Sequence, residues 1–364
     1  MTIVSSYNEW DPLQEVIVGS VKGAMKMPLE PLTKALFEAS LSQENIRKFQ
    51  SSVFTDEEIQ EAEAQLDGLA TILEMQGITV KRPESINYAQ KVITPAFKIK
   101  SGNCSACPRD TIMIIGNRII EASMSFRSRY FEHLAYRKLI KDYFLKGAKW
   151  VAAPKPSMFD DLYVSNYSLD DSPFDAVEHN ALTEFEPSFD AASFVRFGRD
   201  IFYQLDLVTN QFAVKWLESE LGNDFKFHKI KFHNKLIPTH IDTTLIPIRP
   251  GLLLVNPERP CIDGSLDFFK KNNWKVIDGL PSINKSKVHS PSVSNWISMN
   301  FLSIDEETVI VEEKEEPMIK LLESLDCKVI TCPFDKVYKF GGGVHCCTVD
   351  IRRNGTLQSY FRES

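Results

Sequence analysis

Residues 111–122 read TIMIIGNRIIEA, two apolar, isoleucine-rich runs separated by Gly116-Asn117. Gly-Asn between two such runs is a strong hairpin signal, because both residues accept the backbone of a two-residue turn. The sequence beyond it is equally telling. Residues 127–146, RSRYFEHLAYRKLIKDYFLK, space their apolar side chains by three and four, then stop at Gly147 ahead of the strand-like GAKWVAAP. Hairpin, helix and strand form one unit, and the fold turns on whether that unit recurs.

It recurs five times. Helical segments 56–76, 127–146, 209–221, 265–273 and 316–326 run into GITVKRP, GAKWVAAP, FKFHKIKF, WKVIDGLP and CKVITCP. Between them lie paired strands: TIMIIGNRIIEA (111–122), ASFVRFGRDIFYQ (192–204), TTLIPIRPGLLLVNP (243–257) and MNFLSIDEETVIVEE (299–313). A fifth hairpin is expected at VHCCTVDIRRNG (344–355), with EVIVGS (15–20) closing the ring from the N-terminal side. A repeat that cannot bury its own apolar face must pack on its neighbours. Five units round a pseudo-symmetry axis predict one closed α/β domain over residues 1–364, a five-bladed propeller with a central channel rimmed by loops. Periodicity alone also leaves open an irregular α+β domain.

Composition removes several function classes. The chain has 364 residues and a net charge of −7, with the two signs interspersed, so no basic block offers a nucleic-acid footprint. No apolar run reaches membrane-spanning length. The first twenty residues resemble neither a secretory signal nor a transit peptide, and seven cysteines, an odd count in a long chain, argue against a disulfide framework. A reducing cytoplasm is therefore expected. Cys104-x-x-Cys107 lacks a second pair and a nearby histidine, so no metal site is expected there.

Chemistry-bearing residues recur at the hairpin mouths: PRD (108–110), EPSFDAA (186–192), PTHID (238–242) and GVHCC (343–347). Cysteine, histidine and carboxylate supply a nucleophile, a proton shuttle and an orienter. Gly341 to Gly343 permit close backbone approach or positive φ. His240 and Asp242 share a face if their segment is extended. Converging carboxylates suit a planar cation such as guanidinium. His133, His179, His228, His233 and His289 are read as structural.

These residues carry a resemblance. GGGVHCCTVDIRRNGTLQSYF, FEPSFDAASFVRFGRDIF, THIDTT and NPERP, extended by SACPRD, RYFEHLAYRKLIKDYF and GAKWVAAPKP, are similar to the amidinotransferase family, the relatives of glycine amidinotransferase. The likeness runs from YNEW (7–10) to the C-terminus. It implies the five-bladed pentein fold, and transfer of an amidino group from L-arginine to an acceptor amine without a cofactor or metal. It further implies Cys346 as nucleophile, His240 as general acid and base, and Asp190 as its orienter. Asp110 and Asp242 would hold the guanidinium, and Arg259 and Ser294 the substrate carboxylate or its neighbourhood. The partners implied are L-arginine and an amine, with a homodimer left open.

The chain departs from the glycine-specific pattern in four places. Residues 233–239, HNKLIPT, are longer by about one residue before His240. Cys104 stands where those members have tyrosine, Val293 where a second serine is frequent, and Cys347 where a bulky residue is usual. The first three point to an acceptor larger than glycine, with L-lysine the first choice, as in the toxin-pathway members that make homoarginine; Cys347 is assigned no role. The alternatives are glycine itself as acceptor, an arginine deiminase-type hydrolase, and a non-catalytic ligand-binding propeller.

Overall fold

The computed structural model describes residues 2–40, 42, 44–47, 53–165, 167, 180–233, 239–283 and 293–362. Five three-stranded sheets form in it. The second blade pairs Ile112–Ile115 antiparallel with Arg118–Glu121, which runs parallel to Lys149–Ala152. The third blade repeats that order with Phe194–Phe197, Asp200–Tyr203 and Lys226–Lys229. The fourth uses Leu245–Arg249, Leu252–Val255 and Lys275–Asp278. The fifth uses Leu302–Ser303, Thr308–Glu312 and Lys328–Cys332. In each, the antiparallel pair is local and the parallel strand arrives after a helical crossover, as parallel pairing requires.

The first blade differs in how it is made. Leu13–Val18 pairs antiparallel with Thr348–Arg353 and parallel with Thr79–Lys81. The expected fifth hairpin is therefore no hairpin: its two strands come from opposite ends of the chain and meet to close the ring. Pairing across that separation leaves no turn signature, so local sequence alone suggests a hairpin there.

Strand side chains alternate, and here both faces are buried. Ile112 and Ile114 pack with Ile17, Val349 and Ile351 of the first blade. Their neighbours Met113 and Ile115 pack with Phe194, Ile201 and Tyr203 of the third. The alternation continues round the ring: Leu253 and Val255 face Val195 and Phe197, whereas Leu252 and Leu254 face Val309 and Val311. Ile310 turns to Val16 and Val18, completing the fifth seam. Each fully buried aliphatic contributes about 1.5–3 kcal/mol. One seam per pair of neighbours explains why the strands read as near-continuous apolar runs.

Helices cover the blades. Asp56–Met75 starts at a capping box in which Thr55 and Glu58 satisfy each other's backbone N–H, and it ends ahead of Gly77 at φ 79°. The expected helix 127–146 is α-helical only over Arg137–Leu145; Arg127–Arg129 and Glu132–Tyr136 are 3₁₀ turns. Tertiary ion pairing overrides the periodicity, because Arg129 is buried against Asp110 at 2.8 Å and Asp190 at 3.4 Å. Helix Pro31–Ser40 and the strand pair Val92–Ile93 with Lys98–Ile99 stand outside the repeat. No described helix is long and apolar enough to cross a membrane.

The channel enclosed by the ring is crossed part-way by charge. Asp350 accepts from Arg109 at 2.7 Å, Arg196 at 2.8 Å and Arg353 at 2.9 Å, while Glu9 accepts from Arg196 and Arg109. Arg353 also donates to the Asp11 and Ser303 carbonyls, tying the closing strand to the fifth blade. Arg353→Met leaves Asp350 short of a buried cation and should cost about 3–5 kcal/mol in urea unfolding. A loss below about 1 kcal/mol would refute this role.

Candidate active site

Four hairpin mouths are built alike. A single helical turn, Pro108–Thr111, Ala191–Ser193, Ile241–Thr243 or Ile297–Met299, precedes the inner strand of blades two to five. Asp190 and His240 occupy the residue before their turn, Asp110 and Asp242 lie inside theirs, and Asn300 closes the last. The His240–Asp242 segment is thus a tight turn rather than an extended strand. Both side chains nevertheless line one pocket.

The pocket is lined by Asp110, Asp190, His240, Asp242, Ser294 and Cys346 among others. Within it, His240 Nε2 lies 3.2 Å from Asp190 Oδ2, and Nδ1 lies 3.6 Å from Asp110 Oδ1. The three carboxylates share one feature. All the hydrogen bonds given for Asp242 fall on Oδ2: from Asn300 Nδ2, His345 Nδ1 and Cys346 Sγ, each at 3.0 Å. Asp110 and Asp190 are bonded through Oδ2; their Oδ1 atoms are buried without a hydrogen-bond partner, Asp110 Oδ1 having only the 3.6 Å approach of His240 Nδ1. Buried acceptors without donors are costly, so the floor of the pocket is a set of oxygens prepared for a donor-rich cation.

Cys346 is presented by the glycine loop. Gly341 takes φ 108°, and a Cβ on Gly342 would lie 2.6 Å from Cys346 Cβ and 2.8 Å from Cys107 Sγ. Gly341 thus takes the expected positive φ, and Gly342 makes room for the protein's own thiols. Asn300 Oδ1 accepts from the Gly343 and Cys346 N–H groups at 3.1 and 2.9 Å, fixing the loop. Cys347 is buried in the seam between blades five and one.

Electrostatics set the resting protonation. Burial pushes the Cys346 thiol well up, and Asp242 and Asp110 push it further, so it rests as S–H donating to Asp242. Burial works against the His240 imidazolium, but Asp110 and Asp190 lift it to about 10. Burial raises Asp242, yet His345, His240 and the Cys346 bond bring it down to about 2. Asp110 is raised by burial in spite of His240 and Arg129.

Arg259 is the one expected site residue that does not line the pocket. It is buried beside it, with Nη1 donating to Thr244 and the cation over Phe232 at 5.3 Å. Among the described residues it pairs with no carboxylate, its Nε has no partner, and burial lowers it to about 10 against Asp206. Residues 234–238, Pro291, Ser292, His179 and His289 lie outside the described residues, so the readings placed on them are not addressed.

Sequence reasoning missed Arg129, Asn300 and His345. Arg129 was absorbed into a helical stripe. Asn300 had a usable signal, since it stands at the one hairpin mouth left out of the set. Asp110, Asp190 and His240 bring donor atoms within 4.8 Å of one another, a grouping able to hold a cation, but Arg129 already pairs with both acids.

No family model matches the chain. It is 43% identical over 363 residues to the mitochondrial glycine amidinotransferase of Gallus gallus, covering 98% of this chain and 85% of that protein. It is 42% identical over 361 residues to the L-arginine:L-lysine amidinotransferase of Pseudomonas savastanoi pv. phaseolicola, covering 98% and 96%. An amidinotransferase from Microseira wollei in the saxitoxin biosynthetic pathway is 44% identical, with TM-score 0.86 over 98% of this chain and 99% of that one.

Proposed function

The chain belongs to the amidinotransferase family, and on that premise we propose that it is an L-arginine:amine amidinotransferase acting as one domain through a covalent amidino-cysteine. The observation that carries this reading is the convergence of Cys346, His240 and three half-bonded carboxylates in one pocket. The guanidinium of L-arginine meets Asp110 Oδ1 and Asp242, displacing the thiol from its bond and bringing positive charge beside the sulfur. Both effects favour the thiolate. The sulfur attacks the guanidino carbon, the carbon–nitrogen bond to the ornithine part breaks, and His240, held by Asp190, protonates the departing amine. The thiol's proton restores the imidazolium, so this half-reaction balances. An acceptor amine entering as the free base then attacks the same carbon, His240 gives its proton to the departing sulfur and takes one from the amine, so Cys346 returns to S–H and His240 to the imidazolium.

Arg259 and Ser294 would serve the substrate carboxylate: a buried guanidinium without a described carboxylate partner, next to the pocket, calls for an anion. L-Lysine is the acceptor favoured. The pocket wall includes Met27, Leu36, Phe37, Phe54 and Phe340, with Cys104 in place of a larger side chain, and a longer amine covers apolar surface that glycine leaves wet.

L-Arginine alone should yield one equivalent of ornithine and an amidino mass gain on Cys346. Turnover should require an amine, with lysine faster than glycine. Citrulline and ammonia from arginine alone would overturn the transferase reading, and a clear preference for glycine would overturn the acceptor.

A further inference from the structure

Arg129 is buried at the edge of the pocket and belongs to none of the roles above. Its Nη1 donates to Asp110 Oδ2 at 2.8 Å and reaches Asp190 Oδ2 at 3.4 Å. Its other edge is anchored: Nε and Nη2 meet Glu132 Oε2 at 2.9 and 2.8 Å. One guanidinium therefore holds a single oxygen on each of two pocket carboxylates, and the oxygen it leaves on each is buried without a hydrogen bond.

Like charges crowded in a low-dielectric site do not all stay ionised unless a cation compensates them. Asp110 faces Arg129, His240, Asp190 and Asp242, the thiols of Cys107 and Cys346, and Glu132 behind Arg129. Of the two cations in that set, His240 is engaged in proton transfer. Arg129 carries no such duty, and a guanidinium keeps its charge throughout the working pH range.

Resting on the amidinotransferase reading, we propose that Arg129 is a positioning residue: its guanidinium holds Oδ2 of Asp110 and of Asp190, so that Asp110 presents Oδ1 to the incoming guanidinium and Asp190 keeps its bond to His240. Arg129 acts through these acids. Its contribution belongs to the affinity for L-arginine more than to the rate of sulfur attack.

The test compares wild type, Arg129→Met and Arg129→Lys by single-turnover formation of amidino-Cys346 across pH and arginine concentration, with thermal unfolding as a check on folding. In Arg129→Met, Asp110, already raised by burial, loses a cation and is raised further. Half-saturation by arginine should rise about 100-fold at pH 7 and fall again as rising pH ionises the acid. The maximal rate should change less than tenfold, and Arg129→Lys should recover most of the affinity. A pH-independent half-saturation constant in Arg129→Met, or wild-type affinity, overturns the proposal. If Arg129→Met does not fold, Arg129→Lys is read instead: a half-saturation constant near the wild-type value supports the proposal, and one raised about 100-fold and equally at every pH overturns it. Absence of any adduct in the wild type would instead overturn the amidinotransferase reading itself.

Discussion

Cys346→Ala protein mixed with L-arginine is expected to gain no amidino mass, and its turnover with arginine and an amine should drop by at least about 10⁴-fold. The size of the effect follows from what is removed. In the proposed reaction both half-reactions pass through the same sulfur. The other two thiols lining the pocket are pushed up, Cys104 by burial and Cys107 by its bond with Cys347 and by burial, and neither is bonded to Asp242. The neighbouring thiols separate role from chemistry. Cys347 is buried in the seam between two blades and Cys107 packs against the loop, so serine at either position tests packing, while alanine at 346 tests the reaction. Cys347→Ser should still form the adduct, with any loss appearing in stability, because a hydroxyl replaces a buried thiol among apolar side chains. A non-catalytic binding propeller predicts the opposite: arginine binding and biological function intact in Cys346→Ala. Adduct formation in Cys346→Ala would place the nucleophile elsewhere.

The fold was legible because each blade writes itself locally. The Gly116-Asn117 turn, the helix after it and the β-branched run beyond are adjacent in sequence, and tertiary packing only repeats the pattern. Ring closure was less legible, since Leu13–Val18 and Thr348–Arg353 pair across almost the whole chain. The pocket followed a similar rule. Asp110, Asp190, His240, Asp242 and Cys346 sit at equivalent places in successive units, so one unit predicted the next. Arg129 broke the rule: it reaches the acids from a 3₁₀ turn over the pocket, where apolar spacing had suggested plain helix. Periodicity reports which face is buried and is silent about a buried cation. His345 was hidden for another reason. It stands beside the nucleophile in sequence, but it bridges Asp242 and Glu9 at 3.0 and 3.4 Å, from behind the carboxylate.

His240→Gln should lower transfer by about 10²–10⁴-fold at pH 7, because the departing amine loses its acid and the arriving amine its base. Its pH dependence distinguishes this from a loss of packing. In the wild type the imidazolium is lifted from its ordinary 6.5 to about 10, chiefly by Asp110 and Asp190 working against burial. A group whose pKa is raised on folding contributes stability that is fully present below its unfolded value and lost as pH climbs through the folded one. Wild-type protein should therefore lose stability between about pH 6.5 and 10, and kcat/KM for arginine should fall as pH approaches 10. Lys155, lowered to about 8 by burial, titrates in the same window in both proteins, so the informative quantity is the difference between the two curves. That difference should shrink as pH rises, since glutamine cannot lose a proton that wild type is losing. One result would remove His240 from the reaction: adduct formation in His240→Gln within about tenfold of wild type. A flat difference together with a large rate loss would mean that His240 acts as the neutral base throughout, with the ion pair to Asp190 playing no part in the resting enzyme.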